Sequence, residues 1–486
     1  MKNFNFIASL MGAGVLLTTT TSAQQLDIQP RMGEPVPGLS AAESVRFGDG
    51  LFEFDRILAD TEGLGPVFND TSCSQCHSGP AVGGSSGTFV IRFGIADHMG
   101  MGFDPLDGTG PSGLNRGGPL NQKDGLGFID PTCLEPVAAE ATVTAHRTTP
   151  HVFGAGLLEA VSDAQIAANV GSSPNVFGFT RDTSPVEGGG NKLGRFGWKG
   201  GVGSVLTFSA DASLNEMGLT NRFFGTDNLP AGDPGALLLC DGVLDPEDFP
   251  DPITGLEAID RQTDFQRFLA APPQTPKSGM IGETLFNSVG CADCHVSSYT
   301  TTVGAEAVLN GHTIRPFSDF LLHDMGVTGF GGCGDGIIDG PATETIMMTR
   351  ALWGASNRET FLHDGRASGG TFGQNIAATV ADHGGEAAFS RTAWNALAQS
   401  DRDEIVLFIQ SLGQAEFDYD PSKSNGTPPN NNVDEFDWFF LQFEGWFNGP
   451  LSSGIAPEDG GATADIDQDG DFDMFDWAHM QRAFTG

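Results

Sequence analysis

Between Asp401 and Leu412 the apolar residues Ile405, Val406, Phe408, Ile409 and Leu412 recur at helical spacing, which predicts a helix with one face turned to a core. A second helix is predicted from Ser278 to Phe286, running into a cysteine-containing segment. Elsewhere the periodicity is broken, because 68 glycines and 28 prolines impose long loops between rather short helices. Near the start, Lys2 precedes the apolar run Phe6 to Leu17, and Thr21-Ser22-Ala23 offers small residues before a cut near Gln24. That run is short for a membrane span, so residues 1–23 read as a cleaved export signal and the mature protein as not membrane-spanning. The segment from Pro421 to Asn432 has nothing to bury and reads as a linker. The expected fold is mainly α with long loops.

Composition narrows the partners. With 24 Lys+Arg against 62 Asp+Glu the formal net charge is -38, which argues against nucleic acid and anionic membranes and suits basic electron donors or calcium. A hydrophobic share of 39% over 486 residues is enough for two or three packed domains.

The chemistry is concentrated in two copies of one pentad, Cys73-Ser74-Gln75-Cys76-His77 and Cys291-Ala292-Asp293-Cys294-His295. Such a thiol pair forms two thioethers with the vinyl groups of a haem, and the adjoining histidine becomes the proximal iron ligand. Structural zinc is the alternative for Cys-x-x-Cys. Against it, the pairs lie far apart in sequence, and each histidine abuts its second cysteine, where completing the same tetrahedron is difficult. Two covalent c-type haems are therefore expected, held by Cys73, Cys76 and His77 and by Cys291, Cys294 and His295. Three cysteines remain, Cys133, Cys240 and Cys333, which in an oxidising compartment imply one disulfide and one spare thiol without saying which two pair.

Beyond the linker an internal repeat, Phe436-Asp437-Trp438 to Phe447-Asn448-Gly449 and Phe475-Asp476-Trp477 to Phe484-Thr485-Gly486, marks a small paired-helix module. Its second copy places Asp465, Asp467, Asp469, Gly470, Asp473 and Asp476 at the ligand and turn positions of an EF-hand-type loop, so one Ca²⁺ is expected there. Aspartate rather than glutamate at the last position resembles half of a dockerin, which implies a docking partner for the tail. The expected organisation is a signal at 1–23, a first haem region at 24–275, a second cytochrome c-like domain at 276–415, a linker at 416–432 and the calcium-loop tail at 433–486.

Further segments carry a family resemblance. They include Gly63-Leu64-Gly65-Pro66-Val67-Phe68-Asn69, Arg147-Thr148-Thr149-Pro150, Gly156-Leu157-Leu158-Glu159-Ala160, Gly194-Arg195-Phe196-Gly197-Trp198-Lys199 and Asn215-Glu216-Met217-Gly218. Later come Ser318-Asp319 to His323-Asp324-Met325-Gly326, Phe361-Leu362-His363-Asp364-Gly365-Arg366 and His383-Gly384-Gly385-Glu386. In this order the chain resembles the di-haem oxidoreductase family, relatives of the bacterial di-haem cytochrome c peroxidases. The resemblance implies two facing cytochrome c-like haem domains, one haem storing an electron and the other meeting the oxidant. It implies His383 as the sixth ligand of the second haem, with Met325, Met347 and Met348 as alternatives.

For the first haem, His98, Met99, Met101, His146 and His151 are all candidates for the distal side. Glu159, in the matched Leu-Leu-Glu-Ala stretch, is the expected proton-transfer group. Haem propionates call for cations, and Arg147, Arg195, Lys199, Arg350 and Arg366 are the candidates. Asp364 is placed to orient His363, and Trp198 and Trp353 are candidates either for a bridge between haems or for core packing. The resulting expectation is an exported, periplasmic or extracellular, di-haem oxidoreductase. It reduces hydrogen peroxide or uses it to oxidise a partner, with electrons from a small redox protein entering through the second haem. A di-haem electron-transfer cytochrome without catalysis is the alternative.

Overall fold

The computed structural model describes residues 30–245, 250–273 and 280–413. The stretches read as export signal and linker, and the tail with Asp465, Asp467, Asp469, Asp473 and Asp476, lie outside the described residues. No helix among those described is long and apolar enough to cross a membrane.

One arrangement occurs twice. Helix Ala41–Asp55 opens on a capping box, in which the Ser40 hydroxyl accepts from the Glu43 amide and the Glu43 carboxylate accepts from the Ser40 amide. It crosses helix Ala258–Phe268 at Gly50, where a Cβ would lie 2.4 Å from the Arg261 carbonyl oxygen. Only glycine permits that approach. One turn on, Phe54 packs against Phe265 at 4.8 Å and against the pentad residue His77 at 5.9 Å between ring centroids. In the second region helix Ile281–Ser288 crosses helix Gln399–Ser411 at Gly282, where a Cβ would lie 2.0 Å from the Glu404 carbonyl oxygen. One turn on, Phe286 packs against Phe408 at 5.3 Å and against His295 at 6.1 Å. Each pentad thus sits beside a pair of helices that cross at a glycine and close over its histidine with two phenylalanines.

The two helices expected from periodicity are present with shifted ends, at Ile281–Ser288 and Gln399–Ser411. The mainly α expectation needs correction. Among the described residues short antiparallel sheets fill much of the space between helices, the largest with strand order Leu120–Asn121, Phe89–Gly94, Val143–Thr148. In it Val90 lies opposite Arg147, and Arg92 stands two residues on, so strand alternation sends all three side chains to one face. These strands were missed because Leu120–Asn121 has only two residues and Phe89–Gly94 opens on three apolar residues in a row, so alternation does not register.

The core does not divide at the boundary between the two regions. Val36, Leu157, Ile166 and Ala270 share one buried cluster with Tyr299, Leu309, Phe320 and Trp353. A disulfide joins Cys133 to Cys240, 107 residues apart, and leaves Cys333 as a buried thiol. Closing so long a loop restricts the unfolded chain and contributes about 2–5 kcal/mol.

Candidate functional site

Each pentad lines a cavity. The first, of about 230 Å³, is bounded by Cys73, Cys76 and His77. Ser72 caps the short helix Cys73–Cys76 by accepting from the Gln75 amide, which fixes both thiols on one turn. The His77 Nδ1 lies 3.2 Å from the Gly84 carbonyl oxygen and, as donor to it, leaves Nε2 as the ring's free lone pair. Burial pushes the His77 imidazole down to about 4, so it is neutral, the form that binds a metal. The same cavity collects ionisable groups: Arg92, Arg147, Asp211 and Glu216. Burial raises the Glu216 carboxyl above the usual range although Asn69 donates to it at 2.7 Å, and Asp211 is raised by burial as well.

The second cavity, of about 180 Å³, is more apolar and is lined by Cys291, Cys294 and His295. The His295 Nδ1 donates to the Phe317 carbonyl at 2.9 Å, and burial brings this ring to about 4. A second imidazole, His383, lines the same space, and its Nδ1 donates to the Thr379 carbonyl at 2.8 Å. Carbonyl partners therefore fix both rings in the tautomer that leaves Nε2 free. Met325, Met347, Met348 and the buried thiol Cys333 also line it. The ring of His363 does too, with its Nδ1 buried and without a partner.

The cavities meet. Trp198, Met348, Thr349, Arg350 and Arg358 line both. The Trp198 indole donates to the Thr148 carbonyl at 3.0 Å, the Arg350 guanidinium lies 5.2 Å from the Trp198 ring centroid, and Arg350 Nη1 donates to the Gly197 carbonyl. Burial without a carboxylate disfavours both guanidinium charges, bringing Arg350, next to Arg358, down to about 9 and Arg358 to about 10.

Several expected residues have other commitments. Glu159 is absent from both cavity linings; it pairs with Arg267 at 2.8 Å and accepts from the Val205 amide. Burial pushes its carboxyl up, but Arg267 outweighs that and holds it below the usual value, which suits a structural anion rather than a proton carrier. Arg147 and Lys199 both grip Asp335, at 2.6 and 2.9 Å, and Arg195 binds Asp163 and the carbonyls of Leu158, Glu159 and Val161. Arg366 lines neither cavity and ties Asp364 to Asp382, the neighbour of His383. Asp364 is thus engaged by Arg366, and His363 gets no Nδ1 partner from it. Of the five distal candidates only His151 lines the first cavity; His146 stacks on Phe89 and Met99 and Met101 are exposed. Trp353 lines that cavity alone and belongs to the core.

Sequence reasoning assigned no role to Arg92, Arg358, Asp211 or Glu216, which the fold gathers at the cavities. It also overlooked His323 beside the second pentad. Its Nε2 meets Asp319 at 2.9 Å and its Nδ1 meets Glu386 at 3.0 Å, and although burial disfavours its charge, Asp319 and then Cys294 outweigh that and raise it to about 11. Aspartate four residues before a histidine was the available signal. Cys294, Asp319 and His323 place ligand atoms within 4.8 Å of one another, but that imidazolium cannot serve a metal while both nitrogens carry protons.

The donor set suits haem better than zinc. Among the described residues the one group of His, Cys, Asp and Glu close enough to share a metal is Cys294, Asp319 and His323, so neither pentad's two cysteines and histidine are gathered with a fourth donor as a closed zinc site requires. A paired thiol, a neutral imidazole with free Nε2 and an adjoining cavity are what a c-type haem requires. No curated protein matches the chain. A solved structure of Kuenenia stuttgartiensis hydrazine synthase, pressurised with xenon, aligns with 82% of this chain and 100% of its own at 14% identity and a TM-score of 0.33, too weak a likeness to bear on fold or chemistry. A family model matches residues 137–412, taking in the second pentad and leaving the first outside. The chain belongs to the family described as "Di-haem oxidoreductase, putative peroxidase".

Proposed function

We propose that the protein is an exported c-type di-haem oxidoreductase of peroxidase type, which reduces hydrogen peroxide or uses it to oxidise a partner. Electrons from a small redox protein enter on the side of the second cavity. The observation that carries this reading is the asymmetry of two adjoining cavities. The second pairs His295 with His383, whose Nδ1 is held by a carbonyl and whose Nε2 is left free, while in the first the further imidazole, His151, spends its Nε2 on the Trp353 carbonyl and His77 sits among ionisable groups. A relay site works best with both axial positions filled, and an oxidant needs an open or displaceable one.

When bound, haem supplies the iron that exchanges single electrons. Cys73, Cys76 and His77 would hold the first and Cys291, Cys294 and His295 the second, with His383 in the same cavity as the further imidazole that would serve its iron. Glu216 and Asp211 line the first cavity with carboxyls that burial raises, which makes them the groups placed to take a proton from one oxygen and return it to another. Trp198 fills the wall between the sites with a ring oriented by the Thr148 carbonyl. The tail, through Asp465, Asp467, Asp469, Asp473 and Asp476, binds calcium and attaches the enzyme to a docking partner.

Replacing His383 with alanine converts one of the two ferric haems from low to high spin in the optical spectrum. Identical wild-type and variant spectra would remove His383 from the axial position. Glu216→Gln lowers peroxide turnover, measured with a reduced cytochrome donor, by about 100-fold or more. Undiminished turnover would move the proton to Asp211. Two low-spin irons in every redox state and no turnover in the wild type would leave a plain electron-transfer cytochrome.

A further inference from the structure

In this acidic protein most buried cations have a carboxylate: Arg147 and Lys199 share Asp335, Arg267 has Glu159, Arg195 has Asp163 and Arg181 has Asp339. Arg350 and Arg358 break the rule. Neither forms an ion pair among the described residues, and both line both cavities. The Nε of Arg350 is buried without a hydrogen-bond partner, and its only protein acceptor among those residues is the Gly197 carbonyl at 3.0 Å. Two neighbouring half-buried cations without a counter-charge among the described residues are unfavourable unless a ligand brings the anion. With 62 Asp+Glu in the chain, acid is not scarce; it has been left out of this wall.

We propose that Arg350 and Arg358 form one anion clamp common to both haem sites, holding a carboxylate of each haem where the two cavities meet. Guanidinium forks are suited to this, since each presents several donors in one plane and can bind two carboxylates from different sides. Sharing the clamp makes the charge at the junction part of the environment of both irons. The inference rests on the haem reading of the preceding section and adds to it which residues couple the two sites.

The test is optical spectroelectrochemistry on the full mature protein, with both haems first counted by intact mass. Loss of a cation beside a haem favours the ferric state, so Arg358→Gln lowers both reduction potentials together. Arg358→Lys and Arg350→Lys, which keep the charge and lose the fork, lower the same two potentials by less, and they serve if the glutamine variant does not fold. Arg116→Gln, whose parent side chain pairs with Glu140 on the exposed surface away from both cavities, moves neither. A fully haem-loaded Arg358→Gln protein in which one potential falls alone, or neither does, overturns the shared clamp and leaves the haem reading standing. Absence of covalent haem from the wild type overturns both.

Discussion

A chain carrying Cys291→Ser together with Cys294→Ser matures with one covalent haem instead of two, and its intact mass falls accordingly. It also melts well below the wild type. The emptied space of about 180 Å³ is walled by Phe286, Trp394, Ile405 and Ile409, the side chains that hold helix Ile281–Ser288 to helix Gln399–Ser411. Without a filling these walls lose contacts on one side, and the partial collapse of such a site is costly. The partner variant, Cys73→Ser with Cys76→Ser, keeps the second haem, because the two pentads have separate crossing helices. Mass spectrometry finding both haems still covalently bound in the first variant would dismiss Cys291 and Cys294 as attachment points.

Asp335→Ala destabilises the fold by about 3–5 kcal/mol in chemical denaturation, the usual result of removing one partner from a buried ion pair. The Asp335 side chain is fully buried between Lys199 at 2.9 Å and Arg147 at 2.6 Å, and its loss strands two cations. Burial pushes its carboxyl up, but Arg147 and Lys199 together hold it below the ordinary aspartate value. A depressed folded value means that the stabilisation is complete above about pH 4, the unfolded aspartate range, and is lost as the pH falls through the folded value. The gap between wild type and variant therefore closes in acid. A gap that stays constant down to pH 2, or that is absent at pH 7, would show that the two cations find other partners.

This network shows what a reading of cations from the sequence leaves out: Arg147, Arg195 and Arg350 do line the first cavity, but the first two are already bound to carboxylates. Arg147, Arg195 and Arg366 sit in matched motifs, and any basic residue near a haem looks like a propionate partner. Whether it is free depends on which carboxylate the fold brings beside it. Asp335 is 188 residues from Arg147, a distance across which no local pattern operates. Arg92 and Arg358, in unremarkable stretches, were passed over although they are among the cations that line the cavities without an ion pair. Glu159 went the other way. Its motif suggested chemistry, and helix Ala258–Phe268 supplies Arg267 to claim it.

Local chemistry was legible because its spacing is covalent. Cys-x-x-Cys-His places two thiols and an imidazole on one turn in any fold that lets the turn form, and the apolar positions at 405, 408 and 409 declare a helix face without further help. The sequence alone thus determined the two Cys-x-x-Cys-His pentads, the helices beside the second of them, and a net charge of -38. Only the tertiary structure decided which cysteines pair, which cations are left without a carboxylate, that His363 joins His383 in the cavity of His295, and that the two cavities share a wall. Those outcomes depend on groups far apart in the chain and on the cost of burying an unpaired charge, a quantity that has no value until the fold has chosen what surrounds it.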